Sequence, residues 1–202
     1  DLGNTSSVKE HPSSRTQSKT IQVVNKGFVV IQDDANAENK VLTDDELAAW
    51  ITHEHFMQLA LQQAYYAGEL KEVPVGAVIV KQGNIIAAAH NQCEQLHDAT
   101  AHAEMIAITQ AAEAVGDWRL EDCTMYVTLE PCTMCSGAIL QSRIPLVVYG
   151  ATDPKGGAVE SLYQLLNDSR LNHQAAIVRG VLAEPCGAIL TEFFRALRKL
   201  DN

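Results

Sequence analysis

The chain alternates between two hydrophobic periods, which predict strands separated by helices. Two β-branched runs over 75–80 and 85–89 flank a short polar segment, and this pattern predicts a β-hairpin. Three later apolar runs predict three further strands over 125–129, 146–150 and 176–182. Because helical spacing separates these later strands, we expect them to run parallel to one another through helical crossovers.

The helical segments complete the predicted fold. A first helix begins after Thr43, whose side chain can cap it, with Glu46 at the reciprocal position of a capping box. This helix runs to about Gly68, with one break allowed near Thr52. Further helices are predicted over 102–115, 132–141, 161–166 and 184–200. The fold class is therefore α/β, with a five-stranded mixed sheet covered by helices on both faces in three layers.

The N-terminal segment differs from the rest of the chain in composition. Eight of its first twenty residues are Ser or Thr, which is typical of a tail that buries too little apolar surface to become ordered. Two β-branched runs around Gly27, within 21–31, predict a hairpin. A loosely packed extension that docks on the main domain fits the same pattern. We therefore divide the chain into an N-terminal extension, 1–43, and a main domain, 44–202.

Composition and charge exclude several classes of protein. The 202 residues are 47% hydrophobic, with no apolar run long enough to span a membrane and no export segment at the start. Five cysteines are an odd number, which favours reduced thiols or metal ligands in a cytoplasmic protein. The net charge of −10 argues against generic polyanion binding. Residues 139–202, however, hold seven Lys and Arg against six Asp and Glu, so a nucleic-acid surface should lie there.

Two short motifs place metal-ligating residues at helix starts. His102 and Glu104 open one predicted helix, and Cys132 and Cys135 open another. Cysteines three apart lie on one side of a helix, whose N-terminal partial charge favours thiolates. Two thiolates and an imidazole suit zinc, and three protein ligands leave a position for water, as in catalytic sites. His102 and Glu104 are about 200° apart on a regular helix, so both reach one cavity only if His102 precedes the first turn.

A fourth protein ligand would make the site structural instead of catalytic. Cys123 is excluded because it precedes the predicted strand that Cys132 follows, which separates the two by ~17 Å. A Cys-x-x-Cys pair alone fits a structural site as well as a catalytic one, but the His-x-Glu motif upstream favours catalysis. Three residues stay open as further ligands because they lie in the segment that leads to His102: His90, Cys93 and His97.

Residues from about 53 to 199 resemble the bacterial tRNA-specific adenosine deaminases of the TadA type, within the cytidine and deoxycytidylate deaminase superfamily. The zinc motifs are shared by that whole superfamily, whereas the stretches after Ser142 are typical of the tRNA branch. Thr152 stands where some members carry a basic residue. The similar stretches are 72–78, 100–104, 128–138, 142–144, 149–155, 171–173 and 193–195.

The resemblance implies a cytidine deaminase-like fold and a zinc-dependent hydrolase. One zinc ion per subunit, held by His102, Cys132 and Cys135, would supply a hydroxide that attacks C6 of adenine. Glu104 would be catalytic, moving a proton from the water to N1 and then to the departing ammonia. The reaction implied is the deamination of adenosine to inosine at the wobble position of a tRNA anticodon.

The resemblance also implies RNA contacts and a homodimer. Two asparagines would hold the flipped-out adenosine, an acidic and a basic residue would contact neighbouring anticodon-loop nucleotides, and the C-terminal helix would extend the RNA surface. In that order, these residues are Asn91 and Asn172, Asp153 and Lys155, and Phe194 and Arg198. The helix that follows Cys132 would lie near the interface between subunits.

Two other functions fit parts of the pattern. A deaminase of a free base or nucleoside, of the guanine or cytosine type, would use the same zinc motifs. Such an enzyme has no use for Lys155, Asn172 or the basic cluster over 195–199, so these features favour a tRNA substrate. A zinc module without enzymatic activity is the third reading, and Glu104 argues against it because a structural site needs no unligated carboxylate.

Overall fold

The structure is a computed structural model that describes residues 19–24, 28–33, 36–41 and 43–200, with side chains over 43–199. The chain divides into two compact units, Asp1–Val41 and Leu42–Asn202. In the first unit, β1 (Lys19–Val24), β2 (Phe28–Asp33) and β3 (Asn36–Val41) form an antiparallel sheet in that order. Of the predicted polar tail, 1–20, the last two residues belong to β1 and the rest lie outside the described residues, as does the turn at Gly27.

The second unit is built on a five-stranded mixed sheet, as predicted. Its order is β5-β4-β6-β7-β8, in which β4 is antiparallel to both neighbours and β6, β7 and β8 run parallel. Parallel neighbours need a crossover, so α4 connects β6 to β7. The strands are β4 (Gly76–Lys81), β5 (Asn84–His90), β6 (Cys123–Leu129), β7 (Leu146–Ala151) and β8 (Ala176–Arg179).

Helices cover both faces of this sheet, which confirms the three-layer α/β/α prediction. Helices α1 and α5 pack in one apolar core with Val78, Tyr126 and Val148. Helices α3 and α4 pack on the opposite face in a second core. The helices are α1 (Asp44–Glu69), α2 (Cys93–Leu96), α3 (Ala103–Val115), α4 (Thr133–Gln141) and α5 (Ala183–Leu200). In the part of the chain that is described, no helix has both the length and the apolar character to cross a bilayer.

Helix α1 starts as predicted and ends at Glu69, next to the predicted end at Gly68. Thr43 accepts a hydrogen bond from the Glu46 N–H, and the Glu46 side chain accepts from the Thr43 N–H, which completes the capping box. The helix passes through Thr52 without a break, because that hydroxyl donates to the Ala48 carbonyl and needs no other partner. A Cβ atom at Gly76 would overlap the backbone of α1, so glycine is required where this helix crosses β4.

The helix predicted over 161–166 is wrong, because this segment consists of turns. A helix needs N–H groups that reach back four residues. Here the Leu162 N–H donates to the Gly157 carbonyl, and the Leu165 N–H donates to the Ala158 carbonyl, five and seven residues back. These bonds fold the segment over the end of the sheet, which local helical spacing could not reveal.

Both histidines of α1 are predicted to face solvent, and this holds for only one of them. His55 is exposed, whereas His53 is half-buried and its Nδ1 lies 3.0 Å from the hydroxyl of Tyr126 on β6. Burial lowers the pKa of His53 and raises the pKa of Tyr126 to about 12. The pair therefore stays uncharged in the folded protein at neutral pH, between α1 and the sheet.

We expect His53 to make folding stability sensitive to mild acid. Folding lowers the pKa of His53. At a pH below the ordinary His pKa of about 6.5, the unfolded chain therefore binds a proton at His53 that the folded chain does not bind. Stability is therefore complete above that value and is lost as the pH falls toward the folded-state pKa. Denaturant unfolding at about pH 7.5 and about pH 5.5 should show a smaller loss of stability for His53→Gln than for wild type.

The matched control is His55→Gln on the same helix, where the side chain is exposed. This variant should lose the same stability as wild type over the two pH values. An equal loss in all three proteins would contradict the assignment of acid sensitivity to His53.

Candidate metal centre and active site

Two helix starts meet at the carboxyl end of β6. Cys132 follows β6 after two residues and is the N-cap of α4, and Cys135 lies in the first turn of that helix. His102 is the N-cap of α3, which packs on the same face of the sheet. Since both helices begin at one edge of the sheet, their first residues converge on one place.

The three predicted zinc ligands form a group of the right size for a metal ion. The Nδ1 of His102 lies 3.7 Å from the Cys132 Sγ and 3.5 Å from the Cys135 Sγ, and all three ligand atoms lie within 4.8 Å of one another. Two ligands of a tetrahedral zinc ion, at their usual bond lengths, are about 3.5 Å apart. The donor set and its spacing therefore fit zinc without movement of the backbone.

The thiols and the imidazole of this group share hydrogen bonds that separate their pKa values. The pKa of Cys132 is lowered to about 4, chiefly by its hydrogen bond with Cys135, with help from His102. The pKa of Cys135 is raised, chiefly by the same bond and also by burial. The hydrogen bond with Cys132 raises the pKa of His102. One thiolate is thus present at neutral pH, which is the form of cysteine that binds metals.

Glu104 lies beside this group because His102 precedes the first turn of α3, which is the condition for both side chains to reach one cavity. His102 has extended backbone angles, φ −72° and ψ 152°, so the angular separation of a regular helix does not apply. The Glu104 side chain is 4% exposed and hydrogen-bonds with Cys135. Burial raises its pKa, and the hydrogen bonds that it accepts only partly offset this effect. A buried carboxyl at this place can accept and return a proton without ligating the metal.

The other candidate ligands stay outside the group. Cys123 is the first residue of β6, at the opposite end of the strand from Cys132, as predicted. Among the residues with described side chains, no fourth ligand joins the three, so His90, Cys93 and His97 are not part of the group. A set of three ligands is typical of catalytic zinc sites, in which the fourth position holds water.

Asn91 lies at the carboxyl end of β5, next to the loop that carries His102. The loop is closed by a 2.9 Å hydrogen bond from the Gln92 N–H to the Ala101 carbonyl. Asn91 is 6% exposed, and its Nδ2 donates to Glu72 at 3.3 Å. Glu72 is fully buried and also accepts from the N–H groups of Glu94 and Gln95. The amide of Asn91 is therefore held in place, facing the same edge of the sheet as the metal group.

Asp153 and Lys155 lie on the loop that follows β7. Leu129 of β6 is in register with Ala151 of β7, so this loop leaves the sheet at the same edge as Cys132. Lys155 is exposed, and its N–H donates to the Asp153 carboxylate at 3.0 Å. The structure thus brings both predicted RNA contacts to the edge that holds the metal group.

The remaining predicted contacts lie on other elements. Asn172 is exposed in the segment before β8, and Arg198 is exposed on α5. Phe194, which is 42% exposed, lines a groove of about 690 Å³ together with Lys71 and Glu94. The Glu94 N–H and the Asn91 side chain both donate hydrogen bonds to the Glu72 carboxylate, so this groove adjoins the loop that carries Asn91. The structure does not join Asn172 or Arg198 to the metal group.

The structure adds two buried acids at this edge to which sequence analysis assigned no role, Glu72 and Glu130. Both carboxylates are almost fully buried and accept hydrogen bonds from loops at the metal edge. Burial raises the pKa of Glu130, but hydrogen bonds from Ser161, Glu160 and Asp153 outweigh burial and the pKa is lowered. In the sequence, Glu130 directly follows an apolar run, but nothing in the sequence shows which N–H groups would reach either carboxylate.

Comparisons with known proteins agree with this geometry. Residues 51–198 match the family model of the MafB19-like deaminases. The chain is 52% identical over 158 residues to a tRNA-specific adenosine deaminase of Bacillus subtilis, covering 78% of this chain and 93% of that protein.

Solved structures show the same relationship. A tRNA:A34 deaminase that edits A to I at the wobble position of transfer RNA is 48% identical, with a TM-score of 0.65, covering 67% of this chain and 99% of the other. A guanine deaminase of Nitrosomonas europaea, 22% identical with a TM-score of 0.58 over 69% of this chain and 83% of the other, shows only a shared fold. The chain therefore belongs to the tRNA-specific adenosine deaminase family, with the cytidine deaminase-like fold that its sequence predicts.

Proposed function

We propose that this chain is a zinc-dependent hydrolase that deaminates adenosine to inosine at the wobble position of a tRNA anticodon. The observation that carries the proposal is the group of His102, Cys132 and Cys135 with the buried carboxyl of Glu104 beside it. A structural metal site needs no buried acid that is not itself a ligand, whereas hydrolysis needs a proton carrier beside the metal. The tRNA substrate follows from membership of the family.

The residues divide the chemistry between them. His102, Cys132 and Cys135 would hold the zinc ion, which when bound supplies an activated water for attack on C6 of adenine. Glu104 accepts one proton from that water and delivers it to N1, then takes the second proton of the same oxygen and passes it to the amino group, which leaves C6 as ammonia. Because Glu104 is buried, its carboxyl has little contact with bulk water during proton transfer.

The substrate is held by residues at the rim of the site. Asn91, which Glu72 orients, and Asn172 hold the flipped-out adenosine. Asp153 and Lys155 contact the nucleotides beside it, from a loop at the metal edge. The C-terminal helix continues this surface outward through Phe194 and Arg198. The acting unit is a homodimer with α4 near its interface, and it works in the cytoplasm, where tRNA is found.

We expect Glu104→Gln to retain zinc and lose turnover. Glutamine has nearly the same shape but cannot carry the proton, so kcat should fall by ~10²–10⁴, the usual contribution of general acid–base catalysis. Metal analysis and inosine formation on an anticodon stem-loop measure the two properties separately. The control is Glu113→Gln on the exposed face of the same helix, which should behave like wild type. Loss of zinc in Glu104→Gln, or full turnover, would contradict its role as a proton carrier.

His102→Ala and Cys132→Ser should each lose zinc and stability together. Metal binding contributes to folding free energy, and two remaining ligands bind zinc poorly. Elemental analysis and thermal unfolding, with and without a chelator, test this expectation. The control is Cys123→Ala, which removes a buried thiol at the other end of β6 and should keep its zinc. Full zinc occupancy in the ligand variants would show that the ligand set is wrong.

Removal of Lys155 and Arg198 should weaken tRNA binding and flatten its salt dependence. Each lost phosphate contact reduces the slope of log K against log salt by about 0.7 for a single strand. Kinetics of Lys155→Ala/Arg198→Ala on an anticodon stem-loop at two salt concentrations measure this change. The control is Lys81→Ala/Arg119→Ala, which removes the same amount of positive charge far from the metal group. Lys81 is in register with Cys123, the first residue of β6, at the opposite end of the sheet from Cys132.

A free base as substrate gives different results in the same experiment. The double variant would then match wild type at both salt concentrations, because neither side chain needs to enter the pocket. Ammonia release from guanine or cytosine, with no inosine formed on the stem-loop by wild type, would establish the free-base deaminase instead.

A further inference from the structure

Glu130 is a buried acid that the proposed chemistry does not use. It follows β6 directly, two residues before the metal ligand Cys132, and its side chain is 2% exposed. Five hydrogen bonds reach its two oxygens, and all five come from the loop 153–161. A buried carboxylate with this many partners from one segment determines where that segment lies.

The bonds to Glu130 hold the loop at both of its ends. The Asp153 N–H donates to Oε2 at 3.0 Å. The N–H groups of Val159, Glu160 and Ser161 donate to Oε1 at 3.1, 2.8 and 2.9 Å, and the Ser161 hydroxyl donates to Oε2. The part of the loop that carries Lys155 is thus closed between two anchored ends.

The same loop is joined to the metal-binding segment by its backbone. The Ala158 N–H donates to the Pro131 carbonyl at 2.8 Å, and Gly157 forms an isolated β-bridge with Cys132. A Cβ atom at Gly157 would overlap the Glu130 carboxylate, so glycine is required for this close approach. The substrate loop and the metal ligand are therefore fixed to one short stretch of chain, 130–132.

A second group of contacts holds the outer side of the loop. The carboxylate of Glu160 accepts from the Tyr149 hydroxyl at 2.7 Å and from the Arg179 guanidinium at 2.8 Å. Tyr149 is fully buried on β7, and Arg179 ends β8. The loop is consequently bonded on its inner side to β6 and on its outer side to β7 and β8.

An ordered loop matters for the binding of a flexible substrate. Fixing one residue in a single backbone conformation costs about 1–2 kcal/mol, and a loop that orders only on contact with RNA subtracts this cost from the binding free energy. A loop that is already fixed presents Asp153 and Lys155 at a set distance from the metal group. The reacting adenine and its neighbouring nucleotides can then be bound together in one geometry.

We infer that Glu130 is a positioning residue for RNA recognition, which orders the loop 153–161 relative to the metal group before the substrate binds. The inference rests on the proposed function in that the loop is taken to contact the anticodon. Glu130 itself touches neither metal nor substrate. It acts by accepting hydrogen bonds from the N–H groups of the loop. Its removal should therefore affect substrate affinity more than the chemical step.

The test compares Glu130→Gln with Glu121→Gln, its matched control. Both make the same change next to β6, but Glu121 is exposed and precedes the strand. In Glu130→Gln an amide donor faces the loop N–H groups, so hydrogen exchange of the 153–161 amides should rise while zinc content stays at the wild-type level. On a stem-loop, KM should rise on the order of tenfold, the effect of losing about one charge-assisted hydrogen bond, with kcat changed less than about threefold. Glu121→Gln should match wild type in every measurement.

Several results would overturn the inference. Unchanged exchange over 153–161, loss of zinc, or a fall in kcat at constant KM would each show that Glu130 has a different role. If Glu130→Gln does not fold, Ser161→Ala decides the question, because it removes one of the five donors and leaves the carboxylate in place. This variant should show the same changes to a smaller extent, with KM raised about two- to fivefold, and unaltered exchange and KM would contradict the inference.

The two proposals can fail separately. If wild type forms no inosine on the stem-loop, the proposed function is wrong, whereas amide exchange in Glu130→Gln and Ser161→Ala still decides whether Glu130 orders the loop. If wild type is active and exchange and KM do not change in either variant, the positioning role is wrong and the deaminase assignment stands.

Discussion

The site depends on one topological constraint, the parallel crossover from β6 through α4 to β7. A parallel pair cannot be joined by a tight turn, so the chain must leave the carboxyl end of β6 and enter a helix at that edge. Cys132 and Cys135 occupy the start of this helix, where backbone N–H groups stabilise negative charge. The antiparallel β4 and β5 deliver His102 to the same edge through the loop after Asn91.

Two buried carboxylates then connect this edge to the loops around it. Glu72 holds Asn91 and the first residues of α2, and Glu130 holds the loop that carries Asp153 and Lys155. In both cases the buried charge is stabilised by several N–H donors, since an unpaired carboxylate would be too costly at such low exposure. The loops proposed to meet the substrate are in this way hydrogen-bonded to the segments that adjoin the proposed metal ligands.

The proposed chemistry and the proposed recognition of RNA use different parts of the protein. His102, Cys132, Cys135 and Glu104 lie close together at one sheet edge, with Glu104 and Cys135 buried. The residues proposed to contact RNA are exposed elsewhere, Lys155 and Asn172 on two loops and Phe194 and Arg198 on α5. This division suits an acidic protein with a net charge of −10, because its few basic residues need act only near the place of contact.

The sequence by itself predicted the five-stranded sheet, the helices α1, α3, α4 and α5, the capping box at Thr43 and the grouping of His102, Cys132 and Cys135, because periodicity and ligand spacing are local properties. It also identified the condition on His102, which the extended backbone of that residue meets. The tertiary structure decided the rest. The segment 161–166 is not a helix because its N–H groups bond to distant partners, and His53 is half-buried because β6 lies beneath it. Glu72 and Glu130 look like ordinary acidic residues in the sequence, since only the fold brings to them the loops whose N–H groups they accept from.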